Sequence, residues 1–124
     1  MNVNTSTNQR IFQGDELDYI KELSGEDDMV YRQFISLLGE SLQECKECFA
    51  TGISKRDYHM IGVQIHKMKT TFDLLNETEI QKILRSGMEL IKRQDTQYEQ
   101  QVMKLQSQLN GRCDYLIEAL KVFL

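Results

Sequence analysis

The sequence of 124 residues contains no proline, three cysteines and two histidines. Because proline interrupts helices and is common in turns, its absence favours long helices. An odd number of cysteines does not make a disulfide framework, which fits a reducing compartment. No run approaches the roughly 18 apolar residues of a membrane-spanning helix, and the polar N-terminus lacks the apolar segment of a signal peptide. We therefore expect a cytoplasmic protein that makes no use of a membrane.

The charge balance is acidic, with 15 Lys and Arg against 19 Asp and Glu and a formal net charge of −4. Such a surface has no general attraction for a phosphate backbone, so nucleic-acid binding is not expected. Hydrophobic residues make up 40% of the chain and charged residues 27%, which is typical of globular proteins. The length suits one domain, and we expect a flexible lead-in over residues 1–14 and a helical domain over residues 15–124.

Five segments carry apolar residues at spacings of three and four, the pattern of amphipathic helices. The first three lie at residues 15–23, 26–50 and 54–75, the fourth follows the turn at Asn76 and runs to about Arg93, and the fifth covers residues 98–123, with approximate ends. A break at Thr51 and Gly52 separates the second helix from the third, whose predicted N-cap is Ser54. Asn76 should end the third helix in a left-handed turn and, with Glu79, cap the fourth. No segment alternates as a strand does, so the predicted fold class is all-α: an antiparallel four-helix bundle with a short additional N-terminal helix.

The third helix has the most regular apolar stripe. Its members are Tyr58, Ile61, Ile65, Met68, Phe72 and Leu75. At about 100° per residue, His66 lies roughly 130° from the centre of this stripe and is expected to face the solvent. Gly62, Lys69, Asp73 and His59 lie on the same side of the helix. Because helical side chains lean toward the N-terminus, the imidazole should lie over Gly62, where no side chain obstructs it.

This position suits His66 for nucleophilic chemistry. Histidine side chains are largely uncharged near pH 7, and a neutral imidazole is a competent nucleophile. Lys69 follows three residues later, so its ammonium group can approach the ring and attract a phosphoryl group attached to the ring nitrogen. The alternative is that His66 is an ordinary solvated residue of an amphipathic helix.

The residues around His66 resemble the phosphoacceptor helix of histidine-containing phosphotransfer (HPt) domains. In that family an acidic residue opens the helix, an apolar residue precedes the histidine, and an apolar residue, a lysine, a run of small residues and a glycine-type turn follow it. The matching residues are Asp57, Ile61, His66, Lys67, Met68, Lys69, Thr70, Thr71 and Asn76. The preceding segment, LSGEDDMVYRQFISLLGESLQECKECFATG, is similar to the short helix, acidic turn and long second helix of the family. The resemblance covers residues 17–124.

The resemblance implies a phosphorelay intermediate rather than an autonomous enzyme. His66 would accept a phosphoryl group from a phospho-aspartyl receiver domain and pass it to another response regulator, with Lys69 stabilising the phosphate. The partners would be response regulator receiver domains and a hybrid sensor kinase, and the docking residues would be His59, Gly62, Val63, Thr70 and Asp73. This chain would need no cofactor, because Mg²⁺ would lie on the receiver. No glycine-rich nucleotide loop is present, so an ATP-binding kinase domain is not expected, and we expect a monomer.

Two alternatives to phosphotransfer remain open. Thr70 stands where the family usually has glycine, which favours a docking module that binds receivers without being phosphorylated. A structural or adaptor bundle outside the phosphorelay would require the match around His66 to be a coincidence.

Metal binding and redox chemistry are weaker hypotheses. Cys45 and Cys48 form a Cys-x-x-Cys pair inside a predicted helix, where core packing is favoured because Cys45 lies on the apolar stripe. His59 and His66 are separated by about 10.5 Å along the helix axis, too far to chelate one ion. No metal site is therefore predicted.

Overall fold

The computed structural model describes residues 10–94 and 96–124. Helices dominate this part of the chain and it contains no strand, which confirms the predicted all-α class. A short 3-10 helix at Asp15–Leu17 precedes six α-helices, named α1 to α6 in chain order. They are α1 (Asp18–Leu23), α2 (Asp28–Ser54), α3 (Tyr58–Lys67), α4 (Lys69–Leu75), α5 (Glu79–Arg93) and α6 (Tyr98–Lys121). None of the described helices combines the length and the apolar character needed to cross a membrane.

Helix α2 begins and ends for identifiable reasons. The side chain of Asp27 accepts hydrogen bonds from the backbone N–H groups of Met29 and Val30, at 3.0 and 3.2 Å, and so caps the N-terminus. The predicted break at Gly52 is wrong, because α2 continues to Ser54. Gly52 is a packing residue: a Cβ atom there would lie 2.7 Å from Cγ1 of Ile61. Its lack of a side chain lets α3 approach α2 closely.

The core lies between α2, α3, α5 and α6. Helix α2 packs against α3 and α6, and α5 packs against the same two helices. The largest fully buried apolar side chains are Phe49, Leu17, Ile20, Ile35, Leu42, Ile61, Met68, Leu75, Ile80, Leu84 and Leu109. These side chains come from every helix of the described chain, so one continuous core holds the α-helices together.

The predicted third helix is divided into α3 and α4. Met68 lies between them, and its N–H donates to the carbonyl oxygens of Gln64 and Ile65 at 3.0 and 3.2 Å. Asp57 caps α3 by accepting a hydrogen bond from the Met60 N–H at 3.0 Å, so the prediction of Ser54 as N-cap is wrong. The apolar stripe nevertheless continues across the interruption: Ile61, Met68, Phe72 and Leu75 are buried, Ile65 is half-buried, and Tyr58 is exposed.

The turn between α4 and α5 contains the expected left-handed residue. Asn76 has φ 53° and ψ 44°, as predicted. The predicted capping of α5 by Asn76 and Glu79 is wrong, because Glu77 takes this role. Its carboxylate accepts a hydrogen bond from the Ile80 N–H at 3.1 Å.

A buried ion pair connects this turn to α6. Nη2 of Arg112 lies 2.8 Å from Oε1 of Glu77, and only 2% and 1% of the two side chains are exposed. Nε of Arg112 is 3.2 Å from both carboxylate oxygens. The remaining nitrogen, Nη1, donates to the backbone oxygen of Arg10 at 2.7 Å. The guanidinium and the carboxylate are thus both supplied with hydrogen-bond partners, as buried charges require.

The segment before the first helix contacts the helical domain. Nη2 of Arg10 donates to the carbonyl oxygens of Leu75 and Asn76, at 2.8 and 3.0 Å, at the C-terminal end of α4. The Phe12 N–H donates to the hydroxyl of Tyr115 at 2.9 Å. The expected flexible lead-in covered residues 1–14, and its first nine residues lie outside the described part of the chain.

The contribution of the buried ion pair to the stability of the fold can be tested by substitution. Arg112→Ala is expected to lower the free energy of unfolding by about 3 to 5 kcal/mol, because the buried carboxylate of Glu77 would lose its cationic partner. Arg32→Ala is the matched control, since it removes an exposed ion pair with Asp28, and should cost less than about 1 kcal/mol. Chemical denaturation of both variants measures the difference. Equal losses would contradict the importance of the buried pair.

Candidate functional site

His66 lies on the wall of a cleft between α3, α4 and α5. The cleft has a volume of about 430 Å³. It is lined by Gly62, Ile65, His66, Lys69, Phe72, Asp73, Gln81, Arg85 and Met88. The imidazole is exposed, as the orientation of the apolar stripe predicted. Side chains from both walls therefore lie around the solvent-accessible imidazole of His66.

Helix α5 packs closely against α3 one turn before His66. Gly62 lies one turn before His66, and a Cβ atom at Gly62 would come within 3.3 Å of Cε of Met88. The half-buried Ile65 and the buried Phe72 anchor the same wall in the core. His66 therefore projects from a fixed backbone into the opening.

Two cationic side chains share the cleft with His66. Lys69 comes from α4 and Arg85 from α5, and both are exposed. Neither makes an ion pair within the described part of the chain. Lys67, by contrast, points to the other side of α3, where its Nζ lies 3.0 Å from a carboxylate oxygen of Glu44. The charges of Lys69 and Arg85 are thus available to an anion that enters the cleft.

Sequence reasoning missed the contribution of α5. Gln81, Arg85 and Met88 are spaced by four and three residues, so they form one stripe of this helix beside its buried face. That spacing is visible in the sequence, but it does not show which neighbour the stripe meets. The position of α5 against α3 supplies this information.

The cleft also contains one carboxylate and one amide. Asp73 lies on α4, one turn beyond Lys69, and is exposed. Gln81 is half-buried on the opposite wall and can both accept and donate hydrogen bonds. An anion beside His66 would therefore meet two cations, one polar neutral group and one like charge.

The other predicted docking residues are arranged around this cleft without all lining it. Gly62 and Asp73 line it, whereas His59, Val63 and Thr70 are exposed on the surface outside the lining set. Val63 has 43% of its surface exposed, which is high for an apolar residue inside a helix. The surface beside His66 thus mixes apolar and cationic groups.

The cysteines lie apart from the cleft. Cys45 and Cys113 are buried and Cys48 is half-buried. A hydrogen bond with Cys45, together with burial, raises the pKa of the Cys113 thiol above its usual range. A protonated, buried thiol is a poor metal ligand and a poor nucleophile, which supports the interpretation of these residues as core packing. Residues 10–94 and 96–124 contain no group of three His, Cys, Asp or Glu side chains arranged to hold a metal ion.

Comparisons with protein-family models, with curated proteins and with solved structures gave no match to this chain. A function is therefore inferred from the geometry of the cleft and from the resemblance of the residues around His66 to the HPt pattern. The cleft combines an exposed imidazole with two unpaired cations, an arrangement suited to holding a phosphoryl group on a ring nitrogen.

Proposed function

We propose that this chain is a histidine phosphotransfer protein of a phosphorelay. His66 accepts a phosphoryl group from a phospho-aspartyl receiver domain and passes it to another response regulator. The observation that carries the proposal is the cleft in which His66 is exposed beside Lys69 and Arg85, neither of which has an ion-pair partner in the described chain. The packing of α2 and α5 against both α3 and α6 supports an antiparallel four-helix arrangement with α1 as the short additional helix.

The reaction requires little from this chain beyond a positioned nucleophile. The unprotonated ring nitrogen of a neutral imidazole attacks phosphorus, the P–O bond of the aspartyl phosphate breaks, and the receiver carboxylate leaves. The other ring nitrogen keeps its proton. The receiver's acidic residues would hold Mg²⁺, which would supply positive charge for the phosphoryl oxygens. Transfer to the next receiver is the same reaction in reverse, so the protein acts as a relay intermediate.

Lys69 and Arg85 stabilise the phosphorylated state. A phosphoryl group on His66 adds negative charge at the mouth of the cleft, and charge-assisted hydrogen bonds from an ammonium and a guanidinium compensate it. Gln81 offers an amide to the imidazole or to a phosphoryl oxygen. The carboxylate of Asp73 repels the added negative charge. This repulsion limits the stability of phospho-His66, so that the phosphoryl group can be transferred to the next receiver.

The receiver docks over the surface around the cleft. His59, Gly62, Val63, Thr70 and Asp73 form this surface in the proposal, and a hybrid sensor kinase supplies one of the receivers. The exposed Val63 provides an apolar contact. The chain acts as a monomer, since one cleft and one histidine suffice for the transfer.

The direct test is incubation with receiver domains phosphorylated by acetyl phosphate in the presence of Mg²⁺. Wild-type protein should acquire an acid-labile, alkali-stable phosphoryl label, and His66→Gln should acquire none. His59→Gln is the matched control for the loss of a histidine from α3. Because His59 lies on the proposed docking surface, this variant should acquire the same label at completion, and weaker docking should change only the rate. Label that persists in His66→Gln would contradict the proposal. Binding without labelling would instead favour a module that only docks receivers.

The proposed role of Lys69 and Arg85 leads to a second prediction. Lys69→Ala and Arg85→Ala should each shorten the lifetime of phospho-His66 by about tenfold, because each removes a charge-assisted hydrogen bond to the phosphoryl group. Lys82→Ala is the control, since Lys82 is an exposed α5 cation outside the cleft lining. Lifetimes are measured after removal of the receiver, and circular dichroism verifies that the variants stay helical. Equal lifetimes in all three variants would remove Lys69 and Arg85 from the site.

A further inference from the structure

Charge is distributed unevenly between the part of the chain that builds the cleft and the remainder. Residues 55–93 contain α3, α4 and α5 and hold eight of the 15 Lys and Arg but five of the 19 Asp and Glu. This segment therefore carries a net charge of +3 and the remainder −7, which together give the overall −4. The cleft of this acidic protein is thus formed by a basic segment of the chain.

Most of the cations in this segment are free of ion pairs. Arg56 is paired with Glu99 and Lys67 with Glu44. The other six make no ion pair within the described chain and are all exposed: Lys55, Lys69, Lys82, Arg85, Lys92 and Arg93. One of the five acidic residues, Glu77, is buried against Arg112 from the other part of the chain. With these three paired residues set aside, the segment keeps six unpaired cations against four acidic residues, a net charge of +2.

Two of these cations lie on or next to the helices that form the cleft. Lys92 lies seven residues after Arg85, two helical turns along α5, and so continues the stripe that contains Gln81, Arg85 and Met88. Lys55 lies just before α3, the helix that carries His66. The positive charge thus extends beyond the two cations that line the cleft.

We propose that this basic face steers an acidic protein surface onto His66 and that the acidic remainder of the molecule repels the same partner from other orientations. The inference rests on the proposed function, in which that partner is the metal-binding, acidic face of a receiver domain. Complementary fields of this kind raise the rate of association and orient the encounter. The steering cations act before contact, so they need not touch the phosphoryl group.

A protein fits this face better than a nucleic acid does. Tyr58 and Val63 have 44% and 43% of their surfaces exposed on α3. Exposed apolar side chains among cations can be buried at a protein interface, whereas a phosphate backbone would leave them without a partner. The net charge of −7 on the rest of the chain also repels a long polyanion.

The experiment compares two charge reversals of equal size. Lys92→Glu reverses a charge on the proposed steering face. Lys21→Glu reverses a charge on α1, in the acidic part of the chain, where Lys21 is exposed and makes no ion pair with any described residue. Stopped-flow fluorescence measures association with a purified receiver domain at 50 and 500 mM salt, and phosphoryl transfer to His66 is measured in parallel. Lys92→Glu should slow association about three- to tenfold at low salt and less than about twofold at high salt, because screening shortens the reach of the field. Lys21→Glu should change the rate by less than about twofold in both conditions.

The outcomes separate steering from phosphotransfer. Equal effects of the two reversals, or a rate for wild type that does not fall with salt, would overturn the steering proposal even if His66 is phosphorylated. Charge-dependent binding without a label on His66 would overturn phosphotransfer and leave the steering in place. A DNA duplex of 20 base pairs serves as the competing polyanion. Tighter binding of the duplex than of the receiver would show that the partner class is wrong.

Discussion

The buried ion pair between Glu77 and Arg112 determines how the two walls of the cleft meet. Glu77 lies in the turn between α4 and α5, caps α5 with one carboxylate oxygen, and is held by a guanidinium from α6. Arg112 also binds the backbone of Arg10, whose own side chain binds the carbonyl oxygens at the end of α4. The turn that joins the helices of Lys69 and Arg85 is therefore connected by hydrogen bonds to α6 and to the segment before the first helix.

The position of His66 follows from a second constraint, the burial of the α3 and α4 stripe. Ile61 packs where Gly52 allows α2 to come close, and Met68, Phe72 and Leu75 continue into the core. Residues on the opposite side of the same helices must then face the solvent. The core thus presents His66 and Lys69 together, and α5 adds Arg85 from the facing wall. Stability and site geometry are consequences of one packing arrangement.

The sequence predicts what depends on local periodicity and misses what depends on partners distant in the chain. The helical stripes, the exposure of His66 and the left-handed Asn76 follow from spacing and residue type. The sequence favours a turn at Gly52, since the close contact of this residue with Ile61 is not visible in it. The apolar spacing continues unchanged across Met68, so the sequence does not indicate that the helix is interrupted there. The position of Arg85 in the cleft and the pairing of Glu77 with Arg112 depend on how the helices pack, and residue spacing does not determine that packing.

The central claim is that the cleft makes His66 a site for a phosphoryl group. Phosphoramidate tests this on the isolated chain, since its P–N bond breaks, ammonia leaves, and a P–N bond to an imidazole nitrogen forms. The two histidines are both exposed on α3, so His59 is an internal reference for His66. Imidazole resonances in ¹H–¹⁵N NMR spectra, assigned with His59→Gln and His66→Gln, report which ring is modified. The account predicts that phospho-His66 accumulates about tenfold above phospho-His59, because charge-assisted hydrogen bonds from Lys69 and Arg85 hold the phosphoryl group. Equal accumulation on the two rings would contradict it.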